Sequence, residues 1–463
     1  MTRIKPISFF LLTFLFSVIG QSCIQKRKSA EFIKDFSQIK EEGEITAVTL
    51  YGSSSYFQYK MQPLGFEYDL MEDFANSHNL TLNLKVADDI EELKEMLLSG
   101  EADVVAYPIQ IDNRNKKEII YCGHENLTTQ VLIQRANRND TLLTDVTQLI
   151  GKEVYVIANT RFSERLKNLN SELGGGIIIR ETPKDSLSLE DLIELVSRGE
   201  IPYTISDDNT ARLNKTYFWN IDISLPVSFM QRSSWVVRNS SPELATAINQ
   251  WAENSSGLRA YNSTVKRYFE MSKRLLEEAV PEIKDGHISP YDSLFQRHAV
   301  TLGWDWQLLA AISYQESHFN PYAVSWAGAE GLMGVMPNTA RALGVTPYEL
   351  TDPDIGVRTG MECLRRFRQG FSSITDPAEK MKFTLGAYNA GIGHIYDAQR
   401  LAEKYGKDPS VWDDNVAEYV RLKTDPEYYN DPVCKHGYLR GSETYNYVIE
   451  VMDRYRYYKE RTK

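Results

Sequence analysis

The side chain best placed for acid–base chemistry is Glu316. Asp305 is a good N-cap type ahead of a helical pattern that runs from 306 to about 317. Within it, Leu309, Ile312, Ser313 and Glu316 recur at i, i+3, i+4 and i+7, so Glu316 shares the face that packs inward. A carboxyl group on an apolar face is costly to ionise, which suits a general acid working near neutral pH. A helix-end carboxylate can also be purely structural, so the flanking segments matter. His318-Phe-Asn-Pro-Tyr-Ala-Val-Ser325 is polar and aromatic. Gly328-Ala-Glu-Gly-Leu-Met-Gly334 is rich in glycine, where a chain can approach an extended ligand. Metal chemistry has little support. Cys122 and His124 are neighbours, but two ligands do not make a structural zinc site. Cys122, Cys363 and Cys434 read as small buried hydrophobes.

The elements that must hold these residues fall into two halves. In the first, 45–50 reads as a strand, 66–78 as a helix and 81–86 as a strand. A helix follows through Ile90, Leu93 and Leu97, closed by Gly100, and then a short strand at 104–106. The order repeats after 150, with strands at 153–157, 176–180 and 202–206 and helices near 162–171 and 188–198. Alternation of this kind predicts parallel sheets with right-handed crossovers, ligands binding at the carboxyl ends of the strands. Two such lobes predict a hinged binding module. A charged connecting helix is expected over 270–280. Pro281, Gly286 and Pro290 then break the pattern, and helical periods dominate beyond.

At 463 residues, 42% hydrophobic and 25% charged, the chain is long enough for two or three domains and too apolar for global disorder. A formal charge of −11 argues against nucleic acid as a partner, because phosphate backbones require a basic face. Four cysteines exclude a disulfide-built scaffold. At the start, Arg3 and Lys5 precede an apolar run over 7–19, shorter than the roughly 20 residues a membrane span needs. This is the form of a secretory leader. The run leads to Gly20-Gln21-Ser22-Cys23, which resembles a bacterial lipoprotein signal with Cys23 as the lipidated first mature residue, although Gln21 and Gly20 are unusual there. Ile24 in place of an aspartate favours the outer membrane. The expectation is an exported outer-membrane lipoprotein facing the periplasm, held to the membrane by a lipid anchor.

Three first-half segments, Pro63-Leu-Gly-Phe-Glu-Tyr-Asp-Leu70, Leu98-Ser-Gly-Glu-Ala-Asp-Val104 and Ile109-Gln-Ile-Asp-Asn-Arg114, resemble the type 2 periplasmic solute-binding family of amino-acid receptors. That resemblance implies that Arg114 grips a ligand α-carboxylate and Asp207 meets its α-amino group. A planar guanidinium and an anion suit those partners. Ile111 departs from the threonine usual in that family.

Four ordered motifs in the second half resemble the soluble-lytic-transglycosylase domain, a lysozyme-like helical fold. They are Gln315-Glu-Ser-His-Phe-Asn-Pro-Tyr-Ala323, Gly331-Leu-Met-Gly-Val-Met-Pro-Asn-Thr-Ala340, Ala387-Tyr-Asn-Ala-Gly391 and Glu443-Thr-Tyr-Asn-Tyr-Val448. The two halves in this order resemble the membrane-bound lytic murein transglycosylase F family. What the resemblance implies is a multidomain chain. An N-terminal α/β two-lobed periplasmic-binding-protein fold precedes a C-terminal, mainly α lysozyme-like fold. The expected layout is leader 1–22, linker 23–43, solute-binding domain 44–272, linker 273–289 and catalytic domain 290–463.

Carried over by motif, Glu316 is the single catalytic acid and base. Ser317, Met333, Tyr388, Asn389 and Tyr447 are substrate-binding, with Asn389 against an acetamido group and Tyr447 touching Glu316. Gly334 stands where many relatives have glutamine, which puts one polar substrate contact in doubt. The implied substrate is the peptidoglycan glycan strand, and no metal or organic cofactor is implied. The first domain would sense an amino acid or muropeptide. A goose-type lysozyme hydrolase, or a non-catalytic cell-wall peptide or amino-acid receptor, are the alternatives.

Overall fold

A computed structural model describes residues 34–112, 117–183, 187–273, 283 and 286–462. The leader, Cys23 and Arg114 lie outside the described residues.

The strands in chain order are β1 (Glu44–Leu50), β2 (Phe57–Tyr59), β3 (Gln62–Leu64), β4 (Thr81–Ala87), β5 (Val104–Gln110), β6 (Ile119–Thr128), β7 (Gln130–Arg135), β8 (Glu153–Ile157), β9 (Ile178–Thr182), β10 (Tyr203–Asp207), β11 (Ile221–Asp222) and β12 (Gln231–Arg238). The first lobe is a sheet ordered β4-β1-β5-β12-β6, and the second is ordered β11-β7-β10-β8-β9. Strand β1 is buried on both faces. Ile45 and Ala47 join one core with Phe74 and Trp235, while Val48 joins another with Leu93 and Leu97. That explains its near-continuous apolar run.

The sheets are mixed rather than parallel throughout. β1 runs parallel to β4 and β5, but β12 is antiparallel to both β5 and β6. In the second lobe β7 is antiparallel to β10 and β11. The reason is that the chain passes between lobes twice. It leaves from β6 to β7 and returns from β11 to β12, so each sheet takes strands that do not belong to its own βαβ units. The helix expected over 270–280 falls mostly outside the described residues, and the helix before it, Arg259–Phe269, is capped by Glu270.

In the second half, helices including Asp292–Leu302, Trp306–Ser317, Pro353–Gly370, Pro377–Ala390, Ile392–Lys404 and Gly441–Arg461 surround one core that contains Leu309, Ile312, Phe383 and Trp412. Two starts are written in the sequence as Asp-Pro. Asp352 accepts from the backbone N–H of Asp354 and Ile355, and Asp376 from that of Ala378 and Glu379, each with proline in the first turn. Asp305 has the extended backbone of a cap but makes no side-chain capping bond. Its carboxylate is taken by Tyr455 and Lys459 of the C-terminal helix.

One element had no signature in the sequence reading. β2 and β3 form a hairpin, Phe57 opposite Leu64 and Tyr59 opposite Gln62. Its turn residues, Lys60 and Met61, have φ of 48° and 62°. Two left-handed residues in a two-residue loop match the strand twist, but Asn-Gly is the usual choice. A Lys-Met pair carries roughly 1–2 kcal/mol of strain per residue. The hairpin leaves the first lobe and enters the helical domain.

Candidate active site

Glu316 lies one residue from the end of the helix Trp306–Ser317, where His318 and Phe319 take φ of 49° and 62° and turn the chain sharply away. Its side chain is 10% exposed. Tyr447 of the C-terminal helix donates its hydroxyl to Glu316 Oε1 at 2.9 Å. The other oxygen, Oε2, accepts from the ammonium of Lys60 at the hairpin tip, also at 2.9 Å. That ammonium is 8% exposed, donates to the Gly334 carbonyl at 3.2 Å and lies 5.3 Å from the centre of the Tyr388 ring. Glu316 therefore does not stand alone against an apolar face. It is held as an ion pair with a cation from the other domain.

The hairpin is fastened along its length. Lys60 N–H donates to the Ala390 carbonyl at 3.2 Å, and Gln62 Oε1 accepts from Asn338. The Gln58 carbonyl meets His394 Nε2 at 3.1 Å, and Gln58 Oε1 meets His436 Nδ1 at 3.2 Å. Gly391 lies so close that a β-carbon there would sit 3.2 Å from the Met61 nitrogen. Behind His394, the buried Lys423 ammonium donates to its Nδ1 at 3.1 Å and pairs with Asp397 at 2.5 Å. Burial, and then the Lys423 charge, hold His394 well below its ordinary pKa.

Tyr388 and Tyr447 stand at this centre as the motifs implied; burial raises both hydroxyls well above 10. The structure places the other three expected substrate-binding residues within the packed fold. Ser317, 2% exposed, donates to the carbonyls of Ser313 and Leu332 and ties the Glu316 helix to the glycine-rich segment. Asn389 Oδ1 accepts from Thr444 Oγ1 at 2.7 Å, a buried bond that locks two helices together. Met333 has its side chain in the core, packed beside Gly360, while its carbonyl accepts from Tyr388 at 2.6 Å. In each case a polar or flexible group found a backbone or side-chain partner inside the fold.

Gly334 receives a reason. A β-carbon there would fall 2.2 Å from Glu316 Oε2. The missing side chain makes room for the carboxylate in its present position.

Lys60, Trp326 and Glu443 were not singled out from the sequence. Trp326 is 8% exposed and stacks against the hairpin at Phe57 and Tyr59. Burial, and then the charges of Glu443 and Glu316, hold the Tyr59 hydroxyl well above its ordinary pKa. Glu443 has a sequence signal as the first residue of the fourth motif segment; Trp326, which falls between the segments, and Lys60 carry none.

Between the two lobes lies a cleft of about 680 Å³ whose lining includes Glu67, Tyr107, Arg161, Asp207 and Arg232. Asp207, at the end of β10, is paired with Arg161. Burial raises the Asp207 carboxyl above its ordinary range. Glu67 is buried, accepts from Trp235 Nε1 at 2.6 Å and is pushed up to about 7 by desolvation. Ser54 and Phe66, which flank the hairpin on either side, also line this cleft.

Among the described residues no helix is long and apolar enough to cross a membrane. Residues 293–411 match the family described as transglycosylase SLT domain, and 44–271 match bacterial extracellular solute-binding proteins, family 3. A solved structure of the Lactococcus lactis GlnP substrate binding domain 2, in its open conformation, covers 49% of this chain and 96% of its own, at 17% identity and a TM-score of 0.43. A membrane-bound lytic murein transglycosylase F of Desulfosudis oleivorans is 31% identical over 434 residues, 92% of this chain and 92% of its own. One from Stutzerimonas stutzeri is 30% identical over 450 residues, 96% of this chain and 88% of its own. With both domain families in order and whole-length likeness at this level, the chain belongs to the membrane-bound lytic murein transglycosylase F family.

Proposed function

We propose that the protein is a lytic transglycosylase that cleaves the β-1,4 bond between N-acetylmuramic acid and N-acetylglucosamine, leaving 1,6-anhydro-muramic acid ends. The observation that carries this reading is Glu316, a largely buried carboxyl group touched by Tyr447 at the end of the helix Trp306–Ser317 in the transglycosylase-like domain. Most glycosidases use two carboxyl groups flanking the bond; here one acts twice. Glu316 donates a proton to the glycosidic oxygen as the bond from C1 breaks. The resulting carboxylate then takes the proton of the muramyl C6 hydroxyl as that oxygen bonds to C1. No water is consumed. A hydroxyl on the same sugar holds a proximity advantage over bulk water. Tyr447 orients the carboxyl group between the two transfers.

The second part of the proposal concerns regulation. With Lys60 on Glu316 the acid cannot reach a glycan, so this conformation is the resting one. The hairpin roots line the inter-lobe cleft while its tip covers Glu316. An amino acid or muropeptide binding between Asp207 and its neighbours would favour a lobe arrangement that withdraws the tip, which requires tighter binding to that arrangement. Anchoring through Cys23 would keep the enzyme at the outer membrane, facing murein.

Mass spectrometry of digested sacculi tests the chemistry. Anhydro ends are expected, with Glu316→Gln slower by about a thousandfold. Reducing muramic acid ends would instead mean a lysozyme-type hydrolase, and no cleavage by the wild type, with or without added muropeptide, a receptor.

A further inference from the structure

Asp207 ends β10 and occupies the cap position of the helix Asp208–Lys215, where an aspartate ordinarily takes a backbone N–H, yet its side chain makes no capping bond. Its carboxylate accepts instead from Arg161 Nη2. Arg161 opens another helix, Arg161–Glu172, whose cap is supplied by Thr160. Its guanidinium lies 5.0 Å from the centre of the Phe162 ring. The two partners are unequally placed: the Asp207 side chain is 16% exposed and that of Arg161 62%. The carboxylate is thus set in the wall of the second lobe, and the guanidinium stands off it in the cleft that both residues line. Tyr107 of β5 faces them from the first lobe. Burial raises its hydroxyl, and the charges of Arg161 and then Asp207 both reach it.

An aspartate left open at this wall would suit a ligand ammonium, but here a cation of the same chain already holds it. An ammonium arriving at Asp207 has to displace a tethered guanidinium, and until it does two cations crowd one carboxylate. A ligand carboxylate meets the opposite situation. The guanidinium carries several N–H donors on a planar fork. Asp207 takes one of them, and among the described residues no other acceptor takes the rest. The remaining donors are held in orientation by Asp207 and open to an anion in the cleft, where a charge-assisted pair is strong.

We infer that Arg161 is a carboxylate-binding residue of the inter-lobe cleft, oriented by Asp207, and that the pair makes the cleft prefer an N-acylated peptide acid to the same peptide with a free amino group. This deepens the reading of the cleft as the regulatory ligand site and rests on it. The chemistry matches murein fragments that keep their sugar, because the lactyl carboxyl of muramic acid acylates the first amino group of the stem peptide. A peptide cut from its sugar regains that ammonium. The cleft therefore reports glycan-linked fragments and passes over free peptides and amino acids.

The test uses the full-length chain and two probes that differ at one group, L-alanyl-D-glutamate and its N-acetyl derivative, with binding measured by calorimetry at neutral pH. The acetylated peptide should bind about tenfold more tightly, the scale of one hydrogen bond to a charged group. Arg161→Ala should weaken the acetylated peptide about tenfold and strengthen the free one, reversing the order, because Asp207 is released to take an ammonium. Arg161→Lys, which keeps the charge without the fork, should lose affinity for the acetylated peptide and gain none for the free one. Adding Asp207→Asn to Arg161→Ala should remove the gain. The Arg161 side chain is mostly exposed, so these variants should fold. Equal or tighter binding of the free peptide by the wild type, an order unchanged by Arg161→Ala, or no binding of either peptide would overturn the inference. Sacculus lysis measured alongside separates it from the reading on which it rests. Arg161-dependent binding of the acetylated peptide with lysis unmoved would fault the regulatory reading alone. Lysis stimulated alike by both peptides, in the wild type and in Arg161→Ala, would fault only the role given to Arg161.

Discussion

At the scale of single residues, the proposed regulation turns on the ion pair between Lys60 and Glu316. Both partners are nearly removed from water, at 8% and 10% exposure, where charges interact more strongly than at a surface. A general acid must present a proton outward, yet both oxygens of Glu316 are occupied by donors. Removing the cation should therefore release activity. Lys60→Ala is expected to raise the ligand-free rate of sacculus lysis about tenfold, equivalent to about 1.4 kcal/mol. Lys60→Met separates charge from bulk. Equal activation in both variants assigns the block to the ammonium, and activation in the alanine variant alone assigns it to the side chain filling the groove. Unchanged lysis in both would remove Lys60 from the regulatory scheme.

The hairpin is the element on which these residue effects are organised, and two of its features give separate tests. Its turn stores strain at Met61, a residue 52% exposed that has little packing to lose. Met61→Gly should relax the left-handed backbone and stabilise the docked hairpin by about 0.5–1 kcal/mol after the entropy of glycine is allowed for. The readout is a higher melting temperature together with slower ligand-free lysis. The second feature is the seat of Gln58. His394 faces Gln58 on one side and Lys423 on the other, with Asp397, Arg400 and His436 in the same cluster. Its docked pKa lies below the 6.5 of a free histidine because of burial and the Lys423 charge. Release of the hairpin would relieve that burial while Lys423 stays beside the ring, so the released state binds the extra proton more readily and docking weakens as pH falls. Amide hydrogen exchange over 57–64, corrected for intrinsic rate, should show less protection at pH 5.5 than at pH 7.5. His394→Gln should abolish that difference; equal protection at both pH values in the wild type would contradict the argument.

Across the whole molecule, the helical domain touches both lobes. Asn430 donates to the Asp88 carbonyl at 3.3 Å and Tyr429 meets Tyr51 edge-on in the first lobe. In the second, the buried Arg440 donates to Asn214 at 2.9 Å and lies 3.6 Å from the Tyr217 ring centre. The lobes themselves are bridged by Ser53 and Glu190 at 3.2 Å. A rearrangement of the lobes must strain these contacts, so under the proposed regulation they would link the cleft to Glu316. Arg440→Ala should weaken the second-lobe attachment, raise ligand-free lysis and reduce the further gain on adding muropeptide. A variant with ordinary basal activity and an undiminished response would exclude this route.

Domain order, the alternating first half and the place of Glu316 on an inward helical face were legible in the sequence. So was the partnership with Tyr447, carried by the motifs. Those features depend on local periodicity and on caps such as Asp352-Pro353, which act over a few residues. Local patterns did not reveal which polar atoms would be consumed by the fold. Ser317 and Asn389 carry the right chemistry for sugar binding, but backbone carbonyls take the Ser317 hydroxyl and Thr444 takes Asn389 Oδ1. Nor could they show that Lys60 meets a carboxylate 256 residues away. That pairing arises from how two independently patterned domains pack, and no periodicity spans it. Tertiary structure alone decided that the acid begins covered, and by which cation.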